Sequence, residues 1–524
     1  MSLPARPWIV PDTWTWVLIG EVASVVGGAT PQTTEASNFD DGTVPWVTPA
    51  DLSGYGEKYI GRGSRNITTR GLKNSGARVL PKGTVLFSSR APIGYVAIAR
   101  NPLATNQGFK SFVLPPGLDP EFLYYYLLRA KELAVGLSSG TTFQEVSGRQ
   151  AAKIPLSIAP FREQHRIVEA IETYFTRLDD AVATLERVQR NLKRYRAAVL
   201  KAAVEGRLVP IEAELARAEG RDYEPASVLL DRILAERRRR WEEAELAKMK
   251  AKGKVAKDDK WKARYEEPVA PEFEALPSVP KGWCWATVDQ LAFDVRYGSS
   301  AKTDPDLCGE IPVLRMGNIA DGVLSFADLK YLPVGHPEFP ELLLEPGDIL
   351  FNRTNSAELV GKTAVFRGHP TTECSFASYL IRVRCLPDVE PEYIAQFVNS
   401  FTGRSWIASV VSQQVGQANV NGTKLKACAV PLPPASEQAR IVARSDRLLS
   451  LASQLAVELQ REQIRCARVR QSILKWAFEG RLVDQDPTDE PASALLERIR
   501  AERASVDTIK PKRAARRNAR SPRA

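Results

Sequence analysis

From Ile167 onward, apolar side chains recur at alternating steps of four and three. Ile167, Ile171, Tyr174, Leu178, Ala181, Leu185, Val188, Leu192, Tyr195, Val199 and Ala202 fall on one line with no polar interruption. A spacing near 3.5 residues is that of a coiled-coil seam, held here for about five heptads. The line returns at an offset of 441 − 167 = 274 residues, as Ile441, Ser445, Leu448, Ala452, Leu455, Leu459, Glu462, Cys466, Val469, Ile473 and Trp476, where only Ser445 and Glu462 interrupt it. Two such helices in one register predict a mutual pair. Its seam would be carried by Ile167, Ile171, Leu178, Leu185, Leu192 and Val199 on one side and Ile441, Leu448, Leu455, Leu459, Val469 and Ile473 on the other. For either helix alone, a solvated helix lying on its own domain is the plainer alternative. At about 1.5 Å per residue, a helix of about 44 residues reaches roughly 65 Å, long enough to act as a spacer.

The repeat extends beyond the helices. EQHRIV (163–168) and EQARIV (437–442) open them, and VEGRLV (204–209) and FEGRLV (478–483) close them. Each exit is followed by a short amphipathic helix pattern, EPASVLLDRILAER (224–237) and EPASALLERIRAER (490–503). Upstream, PDTWTW from Pro11 matches PKGWCW from Pro280, VPWVTPADL from Val44 matches IPVLRMGNI from Ile311, and PKGTVLF from Pro81 matches EPGDILF from Glu345. An internal repeat of this length is read before any local motif. Short β-rich runs such as Val44–Val47, Thr84–Phe87 and Tyr95–Ala99, punctuated by Gly and Pro, with one helix near Glu121–Leu137, predict a mixed α+β domain in each copy. The divisions are then 1–160 (first domain), 161–206 (first long helix), 207–268 (short helix and charged linker), 269–435 (second domain), 436–480 (second long helix), 481–506 (second short helix) and 507–524 (basic tail). The stretch Arg237–Arg264, rich in charge and poor in apolar residues, reads as a solvated linker.

Composition changes this picture little. The 524 residues exceed what one core supports. The net charge of +10 looks like a nucleic-acid signal until it is located. Lys510, Lys512, Arg513, Arg516, Arg517, Arg520 and Arg523 carry +7 of it in a terminus without acids, which is expected to be disordered. The six cysteines, at 284, 308, 374, 385, 428 and 466, include no CxxC pair, so neither a zinc ribbon nor a secreted disulfide framework fits, and a reducing cytoplasm is expected. No stretch of about 18 apolar residues occurs, and no membrane association is expected.

Tests for catalytic chemistry fail one after another. GKT at 361–363 lacks the phosphate-loop glycine five positions earlier, where Ser356 stands. His165, His336 and His369 lie in no metal or triad context, and Asn101-Pro102-Leu103 lacks the second proline and aromatic of a methyltransferase loop. No set of clustered carboxylates suits a nuclease metal, so no catalytic, cofactor or metal residues are assigned.

Recognition remains. Both copies carry polar loops around one or two arginines, suited to base edges and phosphates. In the first copy the candidates are Thr48, Ser88, Ser89, Arg90, Asn106, Gln107, Lys110, Ser139, Thr141, Thr142 and Gln144. In the second they are Arg315, Asn352, Arg353, Thr354, Asn355, Lys362, Gln413, Gln414, Gln417, Asn419 and Asn421. Each loop alone could be an ordinary solvated tip. Recurrence at equivalent places in both copies argues for function.

With two diverged domains, each followed by an EQ-RIV helix and an EGRLV exit, the chain resembles the specificity subunit of type I restriction-modification enzymes over nearly its whole length. The resemblance implies two target-recognition domains in a pseudo-two-fold repeat, separated by two long antiparallel coiled-coil helices. Each domain would read one half of a bipartite, asymmetric site on double-stranded DNA. It implies a noncatalytic role, with two modification (methyltransferase) subunits and restriction (translocase/endonuclease) subunits as partners. No cofactor is then expected on this chain, and S-adenosylmethionine, ATP and Mg are expected on the partners. The first long helix is entered through IAPFREQ and the second through PLPPASEQ, which leaves docking at that junction open. A coiled-coil adaptor whose two globular ends bind proteins stands as the alternative.

Overall fold

The computed structural model describes residues 6–90, 92–139, 144–256, 258–306, 310–369, 372–414 and 417–509. The basic tail from Lys510 lies outside them. The two long helices are Phe161–Val204 and Ala435–Phe478, each of 44 residues. The repeated EGRLV segment ends both. Gly206 and Gly480 take φ of 66° and 69°, and the amides of Arg207 and Arg481 close back on the carbonyls of Ala202 and Trp476 at 2.9 and 2.8 Å. This is the left-handed glycine stop, a conformation costing a residue with a Cβ about 1–2 kcal/mol.

The buried stripe on each helix differs from the heptad line. On the first it runs through Ile167, Ile171, Phe175, Leu178, Val182, Leu185, Gln189, Leu192, Arg196, Val199 and Ala203, all buried or half-buried. From Ile171 on, its steps alternate four and three as the heptad line's do but in the opposite phase, so the two lines share Ile171, Leu178, Leu185, Leu192 and Val199 and differ by one residue between them. The second helix repeats them 274 residues on, as Ile441, Ser445, Leu449, Ala452, Ala456, Leu459, Gln463, Cys466, Arg470, Ile473 and Ala477. Leu455 and Val469, expected in the seam, are instead 45% and 39% exposed, and Tyr174, Tyr195 and Trp476 on the heptad line are exposed too. Both lines keep the seven-residue repeat; the seam takes the residue three after each shared position, whereas the buried face takes the one four after it. Of the remaining seam residues, Ile167, Ile171, Leu192, Val199, Ile441, Leu459 and Ile473 are buried, while Leu178, Leu185 and Leu448 are half-buried. Ser445, an interruption in the sequence pattern, is fully buried, with its hydroxyl 2.7 Å from Gln396 Oε1.

The chain forms two compact units. One contains the described residues up to Glu186 and those from Gln460 on; the other is Arg187–Leu459. Each unit thus holds one globular domain, the end of one long helix and the beginning of the other. Within each unit the two helices are antiparallel. Arg470 pairs with Asp179 in the first, while Arg196 donates to Ser453 Oγ at 2.6 Å in the second. These are the same two positions of the repeat.

The domains share a core topology, with a fifth strand in the first sheet that the second lacks among the described residues. In the first, a sheet ordered Ser24–Gly27, Lys110–Val113, Val85–Ser89, Ile93–Ala99, Tyr59–Ile60 lies with a three-stranded sheet of Arg65–Ile67, Val44–Val47 and Ala104–Thr105. In the second, Ala292–Tyr297, Leu380–Cys385, Ile349–Asn352, Thr363–Val365 reproduce the order, beside Lys330–Leu332, Ile311–Leu314 and Ser375–Phe376. The fold is α+β in both. Alternating strands bury Phe87 and Phe112 against Phe122 and Tyr126 of the helix Pro120–Arg129, together with Ile167, Ile171 and Phe478 of the long helices. Phe351, Tyr393, Phe397 and Ile441 do the same in the second unit.

The segment read as a solvated linker is largely helical. One helix covers Ala226–Ala251, because Arg239 pairs with both Glu236 and Glu243, Arg238 with Glu242, and Lys248 with Glu245, all at helical spacing. Trp241 stacks on the buried Trp261, which turns the chain back along the helix. Among the described residues no helix is long and apolar enough to cross a membrane.

Candidate nucleic-acid interface

The EQ of each EQ-RIV segment seats the domain on its helix. Glu163 and Glu437 are 1% and 0% exposed. Glu163 Oε1 accepts from Trp14 Nε1 at 3.0 Å and from Gln485 Nε2 at 2.5 Å. Glu437 Oε1 accepts from Trp283 Nε1 at 3.0 Å, and its Oε2 accepts from the Glu212 amide at 2.9 Å. Burial pushes both carboxyls above the ordinary range, and these donors offset only part of the rise. The adjacent Gln164 accepts from the Asp119 amide at 2.9 Å and donates to Ala159 O at 2.9 Å; Gln438 does the same to the Glu390 amide and Pro433 O, both at 3.0 Å. A second brace is equivalent in place but not in sequence. Lys58 bridges Glu121 and Glu172 in the first unit, and Arg367 bridges Glu392 and Asp446 in the second.

On this scaffold, loops distant in sequence meet. In the first unit Ser89 follows its strand into a junction where its amide donates to Gly108 O at 2.7 Å and its carbonyl accepts from the Val146 amide at 2.9 Å. In the second, Arg353 holds the same junction, its amide donating to Tyr379 O at 3.0 Å and its carbonyl accepting from the Val420 amide at 2.9 Å. Three loops therefore converge at one place in both domains.

The candidates divide between presented and internal groups. Arg90 and Lys110 face one carboxylate, Glu145, at 3.6 and 3.4 Å, and Lys110 Nζ also donates to Gln107 O at 3.1 Å. Gln107, Ser139 and Gln144 are exposed, with Gln107 hydrogen-bonded to Thr30. Asn106 is half-buried and accepts from the Gly108 amide. Ser88 and Ser89, expected to meet DNA, are fully buried. Ser88 Oγ accepts from the Tyr95 amide at 2.8 Å and donates to Pro92 O at 2.7 Å, while Ser89 Oγ donates to Gly108 O at 3.1 Å, so both brace the loop. Thr48 stands apart, tied through its amide and hydroxyl to Asp51 at 2.7 and 2.8 Å. Burial would raise the Asp51 carboxyl, but amide bonds from Ser64 and Thr48 outweigh it and hold the group below its usual range. Thr141 and Thr142 lie outside the described residues.

In the second unit Thr354 and Asn355 pair with the strand Gln417–Asn419, and Asn419 Nδ2 donates to Thr354 Oγ1 at 2.8 Å. Gln417 is exposed; Asn421 caps the following helix through the Lys424 amide at 2.9 Å. Arg315 is half-buried, turned to Asp328 O. Lys362 lines a cavity of about 1150 Å³ beside Arg196, Asp321, Arg404 and Asp446, while its carbonyl accepts from the Asn352 amide at 2.9 Å. Asn352 is fully buried, with no partner for either amide atom among the described residues, which removes it from the exposed set. The side chains of Gln413 and Gln414 lie outside the described residues. Tyr297, at the end of a strand far upstream, was absent from the candidate set although it packs against Arg353; an aromatic at a strand end carries no sequence signal of its own. Among the described residues no three His, Cys, Asp or Glu side chains are grouped to hold a metal.

Around the junction stand Arg90 and Lys110 in the first domain and Arg353, Thr354 and Asn419 in the second, side chains whose chemistry suits base edges and phosphates. A family model for the type I restriction modification DNA specificity domain matches residues 11–188 and again 293–461. The type I restriction enzyme EcoKI specificity subunit of Escherichia coli (strain K12) is 25% identical over 520 residues, covering 95% of this chain and 97% of that one. The type I restriction enzyme MjaIX specificity subunit of Methanocaldococcus jannaschii is 41% identical over 169 residues, a match covering 32% of this chain and 38% of that relative. A solved structure concerned with complex assembly and conformational transition of the type I R-M system shares the fold at a TM-score of 0.62 and 18% identity, covering 91% of this chain and 100% of that one. The two family matches fall on the two repeats and together span more than half the sequence, so the chain belongs to the type I restriction-modification DNA specificity family, the noncatalytic components that confer DNA sequence specificity.

Proposed function

We propose that each unit reads one half of a bipartite, asymmetric site on double-stranded DNA, and that the long helices dock two modification subunits. The observation that carries this reading is the convergence of three loops at one junction in both domains, with different side chains in each: Arg90, Lys110 and Glu145 in one, Arg353, Thr354 and Asn419 in the other. Equivalent scaffolds with different readers imply two different half-sites.

Docking is supported by the apolar residues that miss the buried stripe. In the first unit Tyr174, Val469 and Trp476 are exposed; in the second Tyr195 and Leu455 are. Adding 274 to Tyr195 gives Val469, the one pair of these residues that the repeat makes equivalent, and each unit so offers an exposed apolar position at that place to a partner. Methyl transfer to adenine with S-adenosylmethionine, and ATP- and Mg-dependent cleavage, then belong to modification and restriction subunits in the cytoplasm.

The test is selection from a random-sequence duplex pool by this chain assembled with its modification subunit. The reading expects an enriched bipartite motif, with Arg90→Ala relaxing one half and Arg353→Ala the other. A pool that emerges unenriched would sink the DNA-reading assignment and favour the protein-adaptor alternative.

A further inference from the structure

Resting on that reading, we propose that Tyr297 is a positioning residue for specificity: its ring sets the Arg353 guanidinium to read one guanine in the half-site of the second unit. Arg353 leaves the end of the strand Ile349–Asn352, and Tyr297 ends the strand Ala292–Tyr297 two places away in the same sheet. The guanidinium carbon lies 4.8 Å from the centre of the tyrosine ring. The tyrosine hydroxyl accepts from the Gly422 amide at 2.6 Å, joining the ring to the third loop. A Cβ on Gly422 would stand 3.0 Å from that hydroxyl, so this approach favours glycine.

Arg353 itself is held at several points. Its amide and carbonyl bond Tyr379 and Val420, and Nη1 donates to Ser378 O at 3.3 Å. Nε is buried without a partner, Nη2 makes no hydrogen bond, and no carboxylate pairs with the guanidinium, among the described residues. Arg90 of the first unit differs, with Glu145 at 3.6 Å. A guanidinium with its carbon over a ring and one nitrogen on a carbonyl can turn little. With Nε buried, it is the Nη1–Nη2 edge that is held in a fixed direction, as bidentate pairing with guanine O6 and N7 requires. An unrestrained arginine would lose rotamer freedom on binding; here that loss is taken at folding.

The experiment uses the full chain assembled with its modification subunit and a duplex library randomised across the site, read by methylation. Tyr297→Leu and Arg353→Lys should each lower discrimination about tenfold at the same guanine, with the other positions unchanged. Tyr297→Phe, which keeps the ring, should retain that preference. Should Tyr297→Leu fail to assemble, Tyr297→Gln carries the same test. Loss spread evenly over the half-site in the tyrosine variants, or an unchanged motif, overturns the positioning role while leaving base reading intact. An unchanged motif in Arg353→Lys and Arg353→Ala instead overturns the underlying reading of that loop.

Discussion

Glu163 and Glu437 hold equivalent places, yet glutamine should be tolerated at only one of them. At 437 both carboxylate oxygens accept buried donors, Trp283 Nε1 at 3.0 Å and the Glu212 amide at 2.9 Å. A glutamine offers one acceptor, so its NH2 must face one of those N–H groups. An unsatisfied buried donor costs about 1–3 kcal/mol. At 163 a single oxygen, Oε1, accepts from both Trp14 and Gln485, while Oε2 makes no hydrogen bond among the described residues. The glutamine oxygen can take the first place and the NH2 the second, so Glu163→Gln should cost less than about 1 kcal/mol. Glu437→Ala, which orphans both donors, should cost about 3–5 kcal/mol. Urea unfolding followed by tryptophan fluorescence measures all three. The pH dependence has a definite sign. Burial raises the Glu163 carboxyl above its unfolded value, so its contribution is full below the unfolded pKa and is lost as pH rises through the folded one. The penalty of Glu163→Gln relative to the natural chain should therefore shrink as pH rises from about 4 towards 7. Equal costs at 163 and 437, or a penalty that grows with pH, would refute the reasoning.

Three further outcomes follow from packing. Leu459→Ala, on the buried stripe, should cost about 2–5 kcal/mol, whereas Leu455→Ala, at 45% exposure, should change the unfolding midpoint little. Leu455→Glu should leave unfolding unchanged yet weaken co-purification of the modification subunit; full retention of that subunit would remove Leu455 from the docking patch. Gly206→Ala should lower the thermal midpoint more than Gly220→Ala. The two share φ near 65°, but a Cβ at 206 meets the Pro280 ring at 2.6 Å whereas one at 220 meets nothing within 4 Å.

The repeat and the α+β class were legible because both are written in residue spacing, in EQ-RIV, EGRLV and the paired Trp motifs. The phase of the long helices was not. Two seven-residue lines of opposite phase share Ile171, Leu178 and Leu185, and only packing decides between Tyr174 and Phe175 or between Leu455 and Ala456. Polarity alone does not separate a hydroxyl that faces outward from one, like Ser88 or Ser89, that stitches two loops together, nor does it show that Asn352 is buried. The helix Ala226–Ala251 opens on the amphipathic pattern legible at 224–237, but its continuation beyond Arg237 hid in a charge run because its stabilising ion pairs resemble solvated linker composition. Sequence displayed Glu163 and Glu437 as a repeated motif, but their tryptophan partners lie about 150 residues upstream in both copies and emerge only from the fold.

The central claim is that two equivalent scaffolds carry two different readers. Sequencing DNA modification in cells that express this chain with its modification subunit tests that claim most directly. The expected result is a single motif of two unlike specified halves separated by an unspecified spacer. A palindromic motif, or one continuous run of specified bases, would contradict it.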